Sequence, residues 1–129
     1  MFIGAVAKRV GLSPKTVRFY SDLGLIQPGR DQFTGYRSYT EDDIAKLKFL
    51  KNARRFDFSI SECKSLLLLN ERHDRASFEV KAIATRKLKE LDQTLDDLNS
   101  IRAELLSLAS SCPGNEDPNC PILDAIAGD

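Results

Sequence analysis

The chain of 129 residues carries three cysteines and one histidine, and two of the thiols, Cys112 and Cys120, stand close enough in sequence to act on one ligand. They bracket Cys-Pro-Gly-Asn-Glu-Asp-Pro-Asn-Cys, where Pro113, Gly114 and Pro118 enforce a compact loop. That loop contains no histidine and no third cysteine. Structural zinc takes four ligands, so the donor set is short for a divalent ion. Two soft thiolates instead suit a soft monovalent d10 ion such as Cu(I), and the same softness admits Ag(I) and Au(I). Two thiolates around one monovalent cation leave a single negative charge, which the amino-terminal dipole of a helix following Cys120 would stabilise. A regulatory disulfide needs the same pair, and the spacing leaves that alternative open. A thiol oxidoreductase is disfavoured, because the sequence has no Cys-x-x-Cys pair and no alternation of strands and helices.

The remaining thiol and the imidazole read differently. Cys63 falls among leucines at helical spacing and is expected to be a small packed apolar residue. His73 sits in the polar run from Asn70 to Arg75 and reads as a surface linker residue rather than a ligand. Three unevenly placed cysteines do not make the disulfide framework of a small secreted domain. No apolar run approaches the roughly 20 residues needed to span a bilayer. Lys8 and Arg9 follow the first apolar residues instead of preceding them, opposite to a secretory signal, so a cytoplasmic location is expected.

The formal net charge is zero, but the zero hides a dipole. Residues 1 to 60 hold 11 Lys and Arg against 6 Asp and Glu, and residues 61 to 129 hold 8 against 13. A basic amino-terminal half is the electrostatic footprint of a polyanion binder.

Elements that could position these groups follow from periodicity and punctuation. Ile3, Val6, Ala7 and Val10 share one helical face, and Gly11 stops that helix. Ser13 is an N-cap with Pro14 at the first helical position, starting a second helix that carries Val17, Phe19, Tyr20 and Leu23 and ends at Gly24. Two short helices joined through Gly11-Leu12-Ser13 make a helix-turn-helix, whose second helix would offer Lys15, Thr16 and Arg18 to a major groove. Phe33 to Tyr39 alternates bulky and polar residues around Gly35 and predicts a short hairpin, or wing, in which Tyr36 and Arg37 suit a phosphate contact. Thr40 caps a third helix through Arg54-Arg55, and Ser59 or Ser61 starts a fourth. From about Ser77, Ala84, Leu88, Leu91, Leu95, Leu98, Arg102, Leu105 and Ala109 follow a heptad seam. A single helix of about 33 residues spans roughly 50 Å. Its apolar edge needs a partner, which predicts a two-fold dimer through a two-stranded coiled coil. Pro121 then starts a short helix ending near Gly128.

Taken together, Ile3 to Tyr20, Gly24-Leu25-Ile26, the Gly35-Tyr36-Arg37-Ser38-Tyr39 wing, Asp42-Asp43, the long helix and the terminal Cys-Pro-x6-Cys-Pro-Ile resemble the MerR family of transcriptional regulators. The likeness covers nearly the whole chain and is strongest to the copper-efflux branch. It implies a mainly α fold: a winged helix-turn-helix head over residues 1–70, a linker and dimerisation helix over 71–110 forming an antiparallel coiled coil, and a metal-binding loop with a short helix over 111–129. It further implies a non-enzymatic homodimer that binds double-stranded promoter DNA and, when metal is bound, bends and untwists it so that RNA polymerase can use an overlong spacer. Lys15, Arg18, Tyr20, Tyr36 and Arg37 match the family's DNA-contacting positions. Ser77 matches the position at which sensors of divalent ions carry a third cysteine from the partner subunit, so serine there supports monovalent selectivity; its plainer role would be a helix cap. Gly4-Ala5 and Ser21 depart from the family's polar and acidic residues at those positions. Within this resemblance a thiol redox sensor and a divalent-ion sensor stand as the alternatives.

Overall fold

In a computed structural model of the protein, which describes residues 1–72, 74 and 76–128, helices dominate. His73, read above as a surface linker residue, lies outside the described residues. Two compact units, Met1–Ile83 and Ala84–Asp129, divide the chain. The first therefore runs past residue 70 and takes in the start of the long helix, where Ile83 is buried.

The first unit begins with α1 (Ile3–Val10), which stops at Gly11 in the left-handed region, φ 74°. The amides of Gly11 and Leu12 both donate to the Ala7 carbonyl, 2.9 and 3.0 Å, closing the helix in the manner glycine permits. Helix α2 (Pro14–Asp22) starts as expected from Ser13, whose Oγ accepts the Thr16 amide at 3.1 Å. Its carboxyl end falls at Asp22 and its cap at Leu23, just short of Gly24. Phe19 and Leu23, expected among its apolar set, are about half exposed, whereas Val17 and Tyr20 are buried.

The wing is a two-stranded antiparallel hairpin, β1 (Gly29–Arg30) with β2 (Arg37–Ser38), in the register Gly29 to Ser38 and Arg30 to Arg37. Phe33 and Thr34, expected within it, occupy its turn. The reason is local: the Asp31 carboxylate accepts the amides of both, each at 2.9 Å, folding the chain back, and Gly35 completes the reversal at φ 75°. Ser38 also bridges to Phe2, tying the wing to the start of α1.

Helix α3 (Glu41–Arg55) opens with a capping box in which Thr40 and Asp43 exchange side-chain to backbone hydrogen bonds. Those bonds explain why Asp43 is tolerated at 4% exposure. Helix α4 (Ile60–Glu71) starts from Ser59 with the same device through Glu62. The core of the head is Val6, Val10, Val17, Ile26, Leu47 and Leu50 with their neighbours, and each such side chain removed from water contributes about 1.5–3 kcal/mol. Cys63 is fully buried among them, as its spacing implied.

Helix α5 (Ser77–Ser111) is 35 residues long. Ser77 is the first residue of the helix and not the residue preceding it. Within the second unit, Leu88, Leu95, Leu98, Ile101, Leu105 and Leu106 are each half exposed or more. Helix α6 (Pro121–Ala127) follows the cysteine loop and ends at Gly128, as expected. No helix among the described residues is long and apolar enough to cross a membrane.

Candidate nucleic-acid interface and metal centre

On the head, α2 exposes Lys15 and Arg18 while Val17 and Tyr20 anchor it in the core. Thr16 is half-buried; its hydroxyl shares a 2.9 Å hydrogen bond with Ser13 Oγ and so belongs to the helix cap. Tyr20 is a correction. It is 4% exposed and packed in the core, so it supports the helix and offers no surface to a groove; its burial pushes the phenol pKa up. Sequence spacing could not separate it from Phe19, because the two adjacent aromatics sit only 100° apart on the helix and the tertiary packing chose between them.

The wing brings Tyr36 and Arg37 to the surface beside α2. Tyr36 is 69% exposed and meets Phe2 edge-on, centroids 6.3 Å apart. Arg37 Nη2 donates to Asp22 Oδ1 at 2.8 Å, and this carboxylate is the main reason the guanidinium pKa is raised. Its Nη1 is buried with no hydrogen-bond partner. Tyr39, the other wing tyrosine, is buried and shares a 3.3 Å hydrogen bond with Ser21, the serine that departs from the family pattern.

One basic residue escaped the sequence reading. Arg30 stands directly opposite Arg37 across the hairpin, and its Nη1 donates to the Gly35 carbonyl at 2.9 Å. The pattern that could have revealed it was the register, which was hidden because the hairpin was expected to begin at Phe33. Two like charges on paired strand positions are unfavourable unless an anion lies between them. Arg18, Arg30, Arg37 and Tyr36, with Phe2 and Ile3, line one open groove of about 420 Å³. Three guanidiniums and a phenol on rigid elements form a surface chemically suited to phosphate.

In the second unit the two cysteines bracket one loop. Cys112 directly follows α5, its amide donating to the Leu108 carbonyl at 3.1 Å, and Cys120 is the N-cap residue of α6. Between them Asn115 accepts the Asp117 amide at 2.8 Å and Asp117 accepts the Asn119 amide at 2.9 Å, so side chains fold the loop from within. Both cysteines are unpaired and half-buried. Among the described residues no group of three or more His, Cys, Asp or Glu side chains is placed to hold one metal ion. The thiols this chain offers at the loop are two, a soft donor pair able to hold a soft metal ion. Ser77 is exposed in the first turn of α5.

Comparison with known proteins agrees with this architecture. The family described as "MerR HTH family regulatory protein" matches residues 1–69, and "MerR, DNA binding" matches residues 44–108. The HTH-type transcriptional regulator HmrR of Rhizobium leguminosarum bv. viciae is 45% identical over 127 residues, covering 98% of each chain. The HTH-type transcriptional regulator CueR of Yersinia pestis is 43% identical over 128 residues, covering 99% of this chain and 92% of that one. Among solved structures, the transcription regulator PbrR691 from Ralstonia metallidurans CH34, in complex with lead(II), superposes with a TM-score of 0.80 at 28% identity and 98% coverage of both chains. With its winged helix-turn-helix head and long helix, and with full-length relatives of this kind, the chain belongs to the MerR family of helix-turn-helix transcriptional regulators and is not an enzyme.

Proposed function

We propose that the protein is a metal-responsive transcription activator that senses Cu(I), with Ag(I) and Au(I) as chemical surrogates, through Cys112 and Cys120. The observation that carries this reading is the two-thiol donor set on one loop, with no group of three or more potential ligands among the described residues. Likeness to the copper-efflux branch supports copper, and serine at position 77 supports a monovalent ion over a divalent one. The protein acts as a homodimer in the cytoplasm. The half-exposed leucines of α5 supply the apolar face for that association, since a helix roughly 50 Å long cannot bury its seam alone.

In this reading Lys15 and Arg18 of α2 enter the major groove of double-stranded promoter DNA. Tyr36 and Arg37 hold the flanking phosphates, Arg30 joins them, and Thr16 fixes the start of the recognition helix. Cys112 and Cys120 would hold the monovalent ion as thiolates, and the ion would supply the positive charge that lets both stay deprotonated at the loop. Activation then requires that the loaded loop favour the DNA-distorting state of the dimer over the resting one, because equal affinity for both states shifts nothing. RNA polymerase reads the altered promoter phase rather than any new base contact.

The test replaces both cysteines by serine in the full-length protein. DNA binding is expected to persist while copper-induced transcription in a purified system is lost. Titration with Cu(I) under anaerobic excess reductant must still activate the unaltered protein, which a disulfide switch would not do. X-ray absorption is expected to count two sulfur neighbours per ion. Three or four sulfurs, or induction retained without the cysteines, overturns the assignment.

A further inference from the structure

The heptad seam of α5 contains one charge. From Ala84 to Ala109 every seam position is leucine or alanine except Arg102, which lines the same apolar face as Leu98, Leu105 and Ala109. Its own helix gives it no counter-charge, because the residues three and four positions away on either side are Leu98, Asn99, Leu105 and Leu106. Asp92, exposed nearly three turns earlier, is in the same position. Among the described residues neither Arg102 nor Asp92 forms an ion pair. Glu90, the nearest other acid, is already held by Lys87 at 2.8 Å. A single charged residue in an apolar seam weakens association, and in return it specifies register and orientation.

The seam alternates steps of four and three residues and reads the same from either end, about the point midway between Leu95 and Leu98. Two copies laid antiparallel so that these seams superpose put Leu95 opposite Leu98 of the partner subunit, Leu88 opposite the partner's Leu105, and Arg102 opposite the partner's Leu91. Asp92 is one residue beyond Leu91 and falls on the same flank of the stripe as Arg102. In a two-fold antiparallel pair like flanks meet, and every contact occurs twice. Resting on the α5 dimer read above, we propose that Arg102 and the partner's Asp92 form an inter-subunit ion pair that fixes the orientation and register of the coiled coil. A parallel pair would instead set Arg102 against its own copy, with Asp92 about 15 Å away along the axis. Two guanidiniums face to face in an apolar seam disfavour that arrangement strongly. The charge therefore selects between orientations that leucines alone would accept equally.

The experiment uses the full-length protein, with the dimer dissociation constant read by fluorescence-detected sedimentation equilibrium and circular dichroism confirming the helix in each variant. Asp92→Arg is expected to raise the dissociation constant roughly tenfold, since it sets like charges together twice in each dimer. Most of that loss should disappear in about 1 M salt, where exposed charges are screened. Arg102→Glu should weaken the dimer at least as much. The double reversal Arg102→Glu/Asp92→Arg should bind more tightly than either single variant and return to within about threefold of the unaltered protein. A parallel dimer holds the two positions too far apart for one reversal to rescue the other. Additive losses in the double variant overturn the proposal, as does an unchanged dissociation constant in Asp92→Arg. If the unaltered chain sediments only as a monomer, the underlying dimer reading fails instead.

Discussion

Gly11 sets the angle between α1 and α2, and Gly11→Ala is the sharpest test of how the recognition helix is held. The glycine sits at φ 74°, where a side chain costs about 1–2 kcal/mol. A Cβ added there would also lie 2.6 Å from Lys51 Nζ. That ammonium is not idle: it donates to the Val10 carbonyl at 3.0 Å, capping α1 from across the head. Lysine can swing its end away, but the hydrogen bond goes with it, at a cost of about 1 kcal/mol. The two effects together destabilise the head by about 2–3 kcal/mol. In urea the midpoint should fall by roughly 1 M or more without a change of slope. The assay is built in, since the protein has no tryptophan and all three tyrosines lie in the head, two of them buried. In a Lys51→Met background the same glycine substitution should cost only its backbone share, about 1–2 kcal/mol, so a double-mutant cycle should show a coupling of about 1 kcal/mol. Equal costs in the two backgrounds would refute the displacement of Lys51. A negligible cost in both would refute the left-handed turn itself.

Three further outcomes are expected. Asp22→Asn removes the carboxylate facing Arg37 and should tighten duplex binding several-fold at low salt with a steeper salt dependence, measured by anisotropy. Leu105→Asp places a charge on the half-exposed face of α5 and should raise the dimer dissociation constant by roughly a hundredfold or more, read by sedimentation equilibrium. Asp31 and Glu41 titrate below their ordinary values of 3.8 and 4.5, the first held down by the Thr34 and Phe33 amides and the second by its bond to Arg9. A lowered carboxylate adds stability that is present above the ordinary value and lost as pH falls through the lowered one. The urea midpoint of the head should therefore hold from pH 7 to about 5 and fall below pH 4.5, and Asp31→Asn should flatten that fall.

Most helices were legible along the chain, because residues of strong local chemistry punctuate them, although the structure chose Ser59 over Ser61 as the start of α4 and ended α2 at Asp22, before Gly24. Ser13-Pro14, Thr40 and Ser59 start helices by accepting backbone amides, and Gly11 and Gly128 stop them by adopting positive φ. The proposed partnership of Cys112 with Cys120 rests on the sequence, since a short proline-bounded loop is a property of order along the chain. Tertiary structure decided what depends on neighbours distant in sequence. It buried Tyr20 and left Phe19 half exposed, although the two adjacent aromatics look alike to any periodicity. It started the wing four residues earlier than expected, at Gly29 instead of Phe33, through a turn governed by the Asp31 side chain, and so placed Arg30 opposite Arg37. The groove shared by Arg18, Arg30 and Arg37 exists only because helix and hairpin are packed side by side, and no local rule brings charges from three separate segments to one surface.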